Sequence, residues 1–298
     1  LFSLYRVIRI PGRLKLGTIT DVLTVEQSTV DEIGSKLSLL SASLKSSFPT
    51  IDGSRVDILF LEKSSPSSRT SWTGVFFDPT ILRSLGLGEH LEKLFVCFGA
   101  NRLSLLWDLL KDLDGLNKAS RLYVKKSFGG LMGQLSTKEE AAGKVRVFAL
   151  VDIWTQSILK PLHDALFSLL KSFPNDATFD QQASVKRCFE KVKLAKKSFG
   201  YDLSAATDRL PISIQVQVLS PLIGEAAAEA WAALLVGREY FLPEKKDYGS
   251  SEMKIKYTVG QPMGALSSWA MLALTHHLIV QLAYRTARSL TFVEQKVV

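Results

Sequence analysis

Between Leu91 and Leu113, apolar residues recur at helical spacing, at Leu91, Leu94, Phe95, Phe98, Leu105, Leu106, Leu109 and Leu110. They predict packed helices interrupted at Gly99. Trp154, Ile158, Leu162, Leu166, Leu169 and Leu170 share one helical face between Trp154 and Phe173, where Pro161 predicts a kink or a restart. Lys144 to Val151 is nearly continuous in apolar residues and reads as a buried strand, with Lys144 and Arg146 on one face at its entrance. Ile212, Ile214, Val216 and Val218 alternate as in a strand, whereas Pro211 and the cap candidates before it favour a helix, and both readings stand. Glu225 to Val236 is an Ala-rich helix stopped by Gly237. Arg238 to Leu242 and Met253 to Val259 predict a hairpin, which feeds a glycine-gated loop from Gly260 and a long helix to Ala283. Lys63 to Ser71 has the composition of an exposed linker and marks a soft boundary.

Composition narrows the class. With 298 residues, 46% hydrophobic and 22% charged, the chain suffices for one large domain or two smaller ones and carries no mark of disorder. The apolar run from Trp231 to Val236 is too short to cross a bilayer, and the helix from Ser267 is broken up by Thr275, His276, His277 and Gln281. The start shows no charged-then-apolar signal pattern. Cys97 and Cys188 have no paired spacing, which argues against a disulfide framework and a thiolate zinc site and predicts buried or idle thiols in a reducing compartment. His276 and His277 point about 100° apart on a helix, so one belongs to the core and the other to the surface. The formal charge of +8 favours a polyanionic partner. Lys186, Arg187, Lys191, Lys193, Lys196 and Lys197 mark a basic helix, read as a wet face or as the wall of a nucleic-acid channel. Arg121, Lys125 and Lys126 lead into the glycine-bearing stretch from Gly129 to Gly133.

Candidate chemistry centres on Phe199 to Pro211, where Asp202 and Asp208 stand beside small hydroxyl residues. Two carboxylates at the mouth of a pocket suit Mg²⁺, which takes one or two protein carboxylates and completes its shell with substrate phosphates and water. The competing reading makes Asp208 or Ser204 the cap of a helix with Pro211 in its first turn. Lys144 and Arg146 read equally as a snorkelling edge or as phosphate ligands. Gly260 and Gly264 permit close backbone approach by a ligand, and Ser267 or Ser268 supplies a hydroxyl.

Taken in order, Gly143-Lys-Val-Arg-Val-Phe-Ala-Leu-Val-Asp152, Tyr201-Asp-Leu-Ser-Ala-Ala-Thr-Asp-Arg-Leu-Pro211 and Tyr257-Thr-Val-Gly-Gln-Pro-Met-Gly-Ala-Leu-Ser-Ser-Trp269 resemble the RNA-dependent RNA polymerases of mitoviruses, including copies integrated in plant mitochondrial or nuclear genomes. The likeness runs from about Leu91 to Tyr284. It implies a helix-rich α+β fold, a right hand with fingers and a partial palm. Residues 1–90 form a poorly assigned N-terminal region, 91–198 a fingers-like helical region with the basic strand, 199–285 the partial palm and 286–298 a divergent tail. By this resemblance Lys144 and Arg146 contact the incoming triphosphate, with Lys138 a further candidate, and Asp202 is the catalytic metal-binding carboxylate. Asp208 positions the ribose, while Gly264 and Ser268 belong to a loop that touches template and nucleotide. The partners implied are an RNA template and nucleoside triphosphates, the cofactor is Mg²⁺ or Mn²⁺, and the location is the mitochondrion.

The chain also departs from the family pattern. No Asp follows Ser268, so the Gly-Asp-Asp hairpin that would complete a two-metal clamp has no counterpart, and neither has the thumb. The sequence therefore reads as C-terminally truncated, with weak magnesium binding. Three readings follow: a polymerase that needs its missing part, a non-catalytic RNA-binding remnant, and an unstable relic.

Overall fold

The computed structural model describes residues 7, 10, 12–111 and 130–288. Arg121, Lys125, Lys126 and nearly all of the 286–298 tail lie outside them. The helices are α1 Gly17–Thr20, α2 Gln27–Ala42, α3 Gly74–Ser84, α4 Gly88–Phe98 and α5 Asn101–Leu110, then α6 Ile153–Lys171 and α7 Gln181–Ala195. They continue as α8 Ala206–Arg209, α9 Ile212–Ile223, α10 Glu225–Val236 and α11 Ser268–Ala287. The strands are β1 Gly133–Glu139, β2 Val145–Val151, β3 Tyr240–Leu242 and β4 Met253–Ile255, forming one mixed sheet in the order β2-β1-β3-β4. The fold is helix-rich α+β.

The helical periodicities become buried faces. Leu91, Leu94, Phe95 and Phe98 of α4 are buried, and the helix ends at Gly99, whose φ of 66° is the left-handed cap conformation. Asp152 caps α6 by accepting from the Thr155 amide at 2.7 Å, and the helix runs through Pro161 to Lys171 without restarting. Phe95, Trp107 and Trp154 pack edge to face, with Trp107 and Trp154 ring centroids 5.3 Å apart, and so lock α4, α5 and α6 together. One apolar cluster reaches from Ile19 through these helices to Leu278.

Residues 212–223 are helical. Ile214, Val218 and Leu222 fall on one buried face at intervals of four, so the same β-branched residues that alternate in sequence also satisfy a helix. Pro211 stands before the helix rather than in its first turn. This face meets α2, where the Ser41 hydroxyl donates to the Val218 carbonyl at 2.6 Å. The hairpin is present as β3 and β4, antiparallel with Tyr240 opposite Ile255.

Two expectations are corrected. The serines of the predicted linker are interior: Ser65, Ser67 and Ser68 are buried, and Ser67 donates to buried Asp78 at 2.5 Å. Hydroxyls that satisfy one another and a carboxylate let a loop-like composition sit inside. The strand β2 is an edge strand of intermediate burial, not a fully buried one. Of the two readings of the cysteines, burial is excluded, since both are free and exposed. The histidines divide as expected, His276 exposed and His277 stacked on Phe173 with ring centroids 4.4 Å apart.

Candidate nucleotide site

The site is organised by the loop from Gly260 to Ser267, which touches two elements at once. On one side the Gly260 and Gln261 amides donate to the carbonyls of Asp208 and Thr207, each at 2.9 Å, fixing α8. A Cβ on Gly260 would collide with both carbonyls. On the other side the Ala149 amide donates to the Met263 carbonyl at 2.7 Å, so the loop pairs with the free edge of β2. Gly264 follows at φ 118°, and a Cβ there would lie 2.5 Å from the Ala149 carbonyl oxygen. Only glycine meets both requirements at this position. The Gln156 side chain completes the clasp, accepting from the Leu266 amide at 2.8 Å and donating to the Gly264 carbonyl at 3.3 Å.

This arrangement brings β2 and α8 into the lining of one cavity of about 710 Å³. Lys144, Val145, Arg146 and Val147 line it from the strand, and Ala205 to Asp208 line it from the helix. Ala142, Gly143, Met263 and an N-terminal segment carrying Ile10, Arg13, Lys15 and Thr18 complete the lining. The backbone of Arg13 bridges that of Lys144 in parallel, which holds the segment beside β2. Lys144 and Arg146 are exposed and share the carboxylate of Glu140: Arg146 Nε lies 2.9 Å and Lys144 Nζ 3.9 Å from it.

Asp208 is a half-buried residue of the cavity lining. Burial pushes its carboxyl above the ordinary carboxylate range, while a 2.8 Å hydrogen bond donated by the Thr18 hydroxyl and the charge of Arg209 pull it back. Arg209 turns away and donates to the carbonyls of Asp21, at 2.5 Å, and Val22, at 3.0 Å. Neither Asp208 nor Ser204 caps a helix: Ala205 precedes α8 at φ 52°, and Pro211 precedes α9. The cap reading of the sequence is thereby replaced.

The other candidates fall elsewhere. Asp202 is exposed, lies outside the cavity lining and belongs to no strand or helix. Ser268 is buried and donates to the Pro262 carbonyl at 3.0 Å, and Gly264 faces the backbone of β2, so neither lines the cavity. Lys138, opposite Arg146 in the β1–β2 register, is exposed and also lies outside it. Among the described residues, no group of three or more His, Cys, Asp or Glu side chains is placed to hold a metal ion. The motif carboxylates that could meet a hard cation are Asp202, exposed outside the cavity, and Asp208, in its lining.

Sequence reasoning missed Arg13, Lys15 and Thr18. A signal was present: Arg13-Leu-Lys15 repeats the alternation of Lys144-Val-Arg146, placing two cations on one side of an extended segment.

With this geometry, the relatives of the chain become informative. The chain is 42% identical over 154 residues to the RNA-directed RNA polymerase of Cryphonectria parasitica mitovirus 1, a match over 51% of this chain and 18% of that protein. Two uncharacterized mitochondrial proteins of Arabidopsis thaliana are 34% and 28% identical, over 39% and 37% of this chain and 45% and 52% of their own lengths. The matches thus span about half or less of each relative. No solved structure matches. The family model described as mitovirus RNA-dependent RNA polymerase matches residues 50–295, extending the likeness on both sides of the three motifs. The chain belongs to the mitovirus RNA-dependent RNA polymerase family.

Proposed function

We propose that the chain is the nucleotide-entry portion of an RNA-directed RNA polymerase, with residues 91–198 acting as fingers and 199–285 as part of a palm. The observation that carries this reading is that Lys144, Arg146 and Asp208 line one cavity of about 710 Å³. Lys144 and Arg146 bind the triphosphate by charge-assisted hydrogen bonds, releasing Glu140 as they do so. Asp208 accepts from a ribose hydroxyl. Gly264 and Ser268 act on the nucleotide by holding these walls in register.

Asp202 is the carboxylate available to Mg²⁺ or Mn²⁺, which this chain would hold weakly and mainly through the nucleotide's phosphates. When bound, such an ion would activate the attacking oxygen and screen the departing pyrophosphate. The RNA template follows the basic helix α7, which has no buried residue. The two mitochondrial relatives support a mitochondrial setting for this activity.

A second reading is favoured by the exposure of Asp202 outside the cavity: the chain binds RNA and nucleotide without chemistry. Primer extension on an RNA template with Mg²⁺ separates the two. Incorporation that disappears with Asp202→Ala supports the polymerase; RNA binding unaffected by Asp202→Ala, without incorporation, supports the binding module. Absence of both activities rejects each reading.

A further inference from the structure

We infer that the N-terminal segment from Arg13 to Thr18, outside the region matched by the family model, is a working wall of the nucleotide site: Arg13 and Lys15 bind the triphosphate and Thr18 orients Asp208 toward the ribose. The inference rests on the nucleotide reading of the cavity and adds residues to it.

The first support is charge. Glu140 pairs with both Lys144 and Arg146, so that trio carries a net charge of only +1 toward a ligand with several negative charges. Arg13 and Lys15 line the same cavity, are exposed, and show no carboxylate partner among the described residues. They are the cations available without breaking an ion pair.

The second support is fixation. The segment is tied to the motifs of the site at two places, and the residues just after it, Ile19 to Val22, at two more. Arg13 bridges Lys144, Thr18 donates to Asp208 at 2.8 Å, Arg209 donates to the Asp21 and Val22 carbonyls, and the Thr258 hydroxyl donates to the Ile19 and Asp21 carbonyls at 2.9 and 2.8 Å. A segment so held presents its cations at fixed positions, which lowers the ordering cost of binding.

The third support is the geometry at Asp208. Thr18 occupies Oδ2, leaving Oδ1 as the acceptor for an incoming hydroxyl. Thr18 is therefore a positioning residue for ribose recognition.

The test is calorimetric titration of ATP and dATP into the full chain. Arg13→Ala/Lys15→Ala is expected to weaken ATP binding roughly tenfold or more. Lys254→Ala/Lys256→Ala removes the same charge at the opposite edge of the sheet and is expected to change it less than about twofold. Thr18→Val is expected to narrow the preference for ATP over dATP, and Thr18→Ser to restore it. Wild-type affinity in Arg13→Ala/Lys15→Ala, while Lys144→Ala/Arg146→Ala loses binding, overturns this inference and leaves the proposed function intact. Equal weakening by the two N-terminal and the two sheet-edge substitutions also overturns it. Absence of ATP binding by the unmodified chain overturns both.

Discussion

At the scale of single residues, the site rests on a buried ion pair between Asp152, the last residue of the first motif, and Arg238. Arg238, nearly inaccessible, donates to Asp152 at 2.6 Å, to the Met132 carbonyl at 2.7 Å and to the Thr155 hydroxyl at 2.8 Å. Asp152 also caps α6, so one carboxylate joins the end of β2, the start of α6 and the approach to β3. Arg238→Ala would leave that carboxylate uncompensated and is expected to destabilise the chain by roughly 3–5 kcal/mol in urea unfolding. Nearby Asp78 behaves differently. Burial, reinforced by the charge of Asp152, holds its carboxyl well above the ordinary value of 3.8 against the Ser67 hydrogen bond, and its Oδ2 has no partner. A raised folded pKa means that the stability due to Asp78 is complete below 3.8 and is lost as pH rises through the folded value. Asp78→Asn is therefore expected to match wild type at low pH and to exceed it increasingly as pH rises. Urea midpoints across the pH range check this, and parallel profiles for the two proteins would refute it. Asp152 was legible only as the end of a motif and Arg238 only as the start of a strand, because a pair 86 positions apart leaves no periodic trace.

At the scale of elements, the clasp between the Gly264 loop and β2 decides whether the basic strand faces Asp208. Gly264→Ala meets both a disfavoured φ and the Ala149 carbonyl, and is expected to cost more than about 1 kcal/mol and to weaken nucleotide binding without touching the cavity lining. The glycine was visible in sequence, but its neighbour was not: local reading predicted approach by a ligand where the fold supplies backbone. Likewise the alternation at Ile212 to Val218 fits two periods, and the packing of α9 on α2 decides for the helix. The basic helix α7 follows its sequence pattern but ends at Ala195, with Lys196 as its left-handed cap and Lys197 beyond it, and its exposed Phe189 and Leu194 show only in the fold. If it tracks RNA, Lys186→Ala/Lys191→Ala should lower the slope of log affinity against log salt by about 2, measured by filter binding at several salt concentrations.

At the scale of the whole molecule, the ordered motifs revealed the family and the α+β class, while the N-terminal contribution was hidden. Arg13, Lys15 and Thr18 meet Lys144 and Asp208 only because the first segment folds back across some 190 positions, as the Thr18–Asp208 separation shows. The same long-range closure bears on whether the chain is a relic. A continuous core from Ile19 to Leu278 gives it the material for a cooperative fold, and a single sharp urea transition is expected. The central claim is that one cavity binds a nucleoside triphosphate between Lys144, Arg146 and Asp208. Its most direct test is equilibrium titration of ATP into the chain and into Lys144→Ala/Arg146→Ala: the account predicts saturable binding that the double substitution weakens roughly tenfold or more, and equal affinities in the two proteins would contradict it.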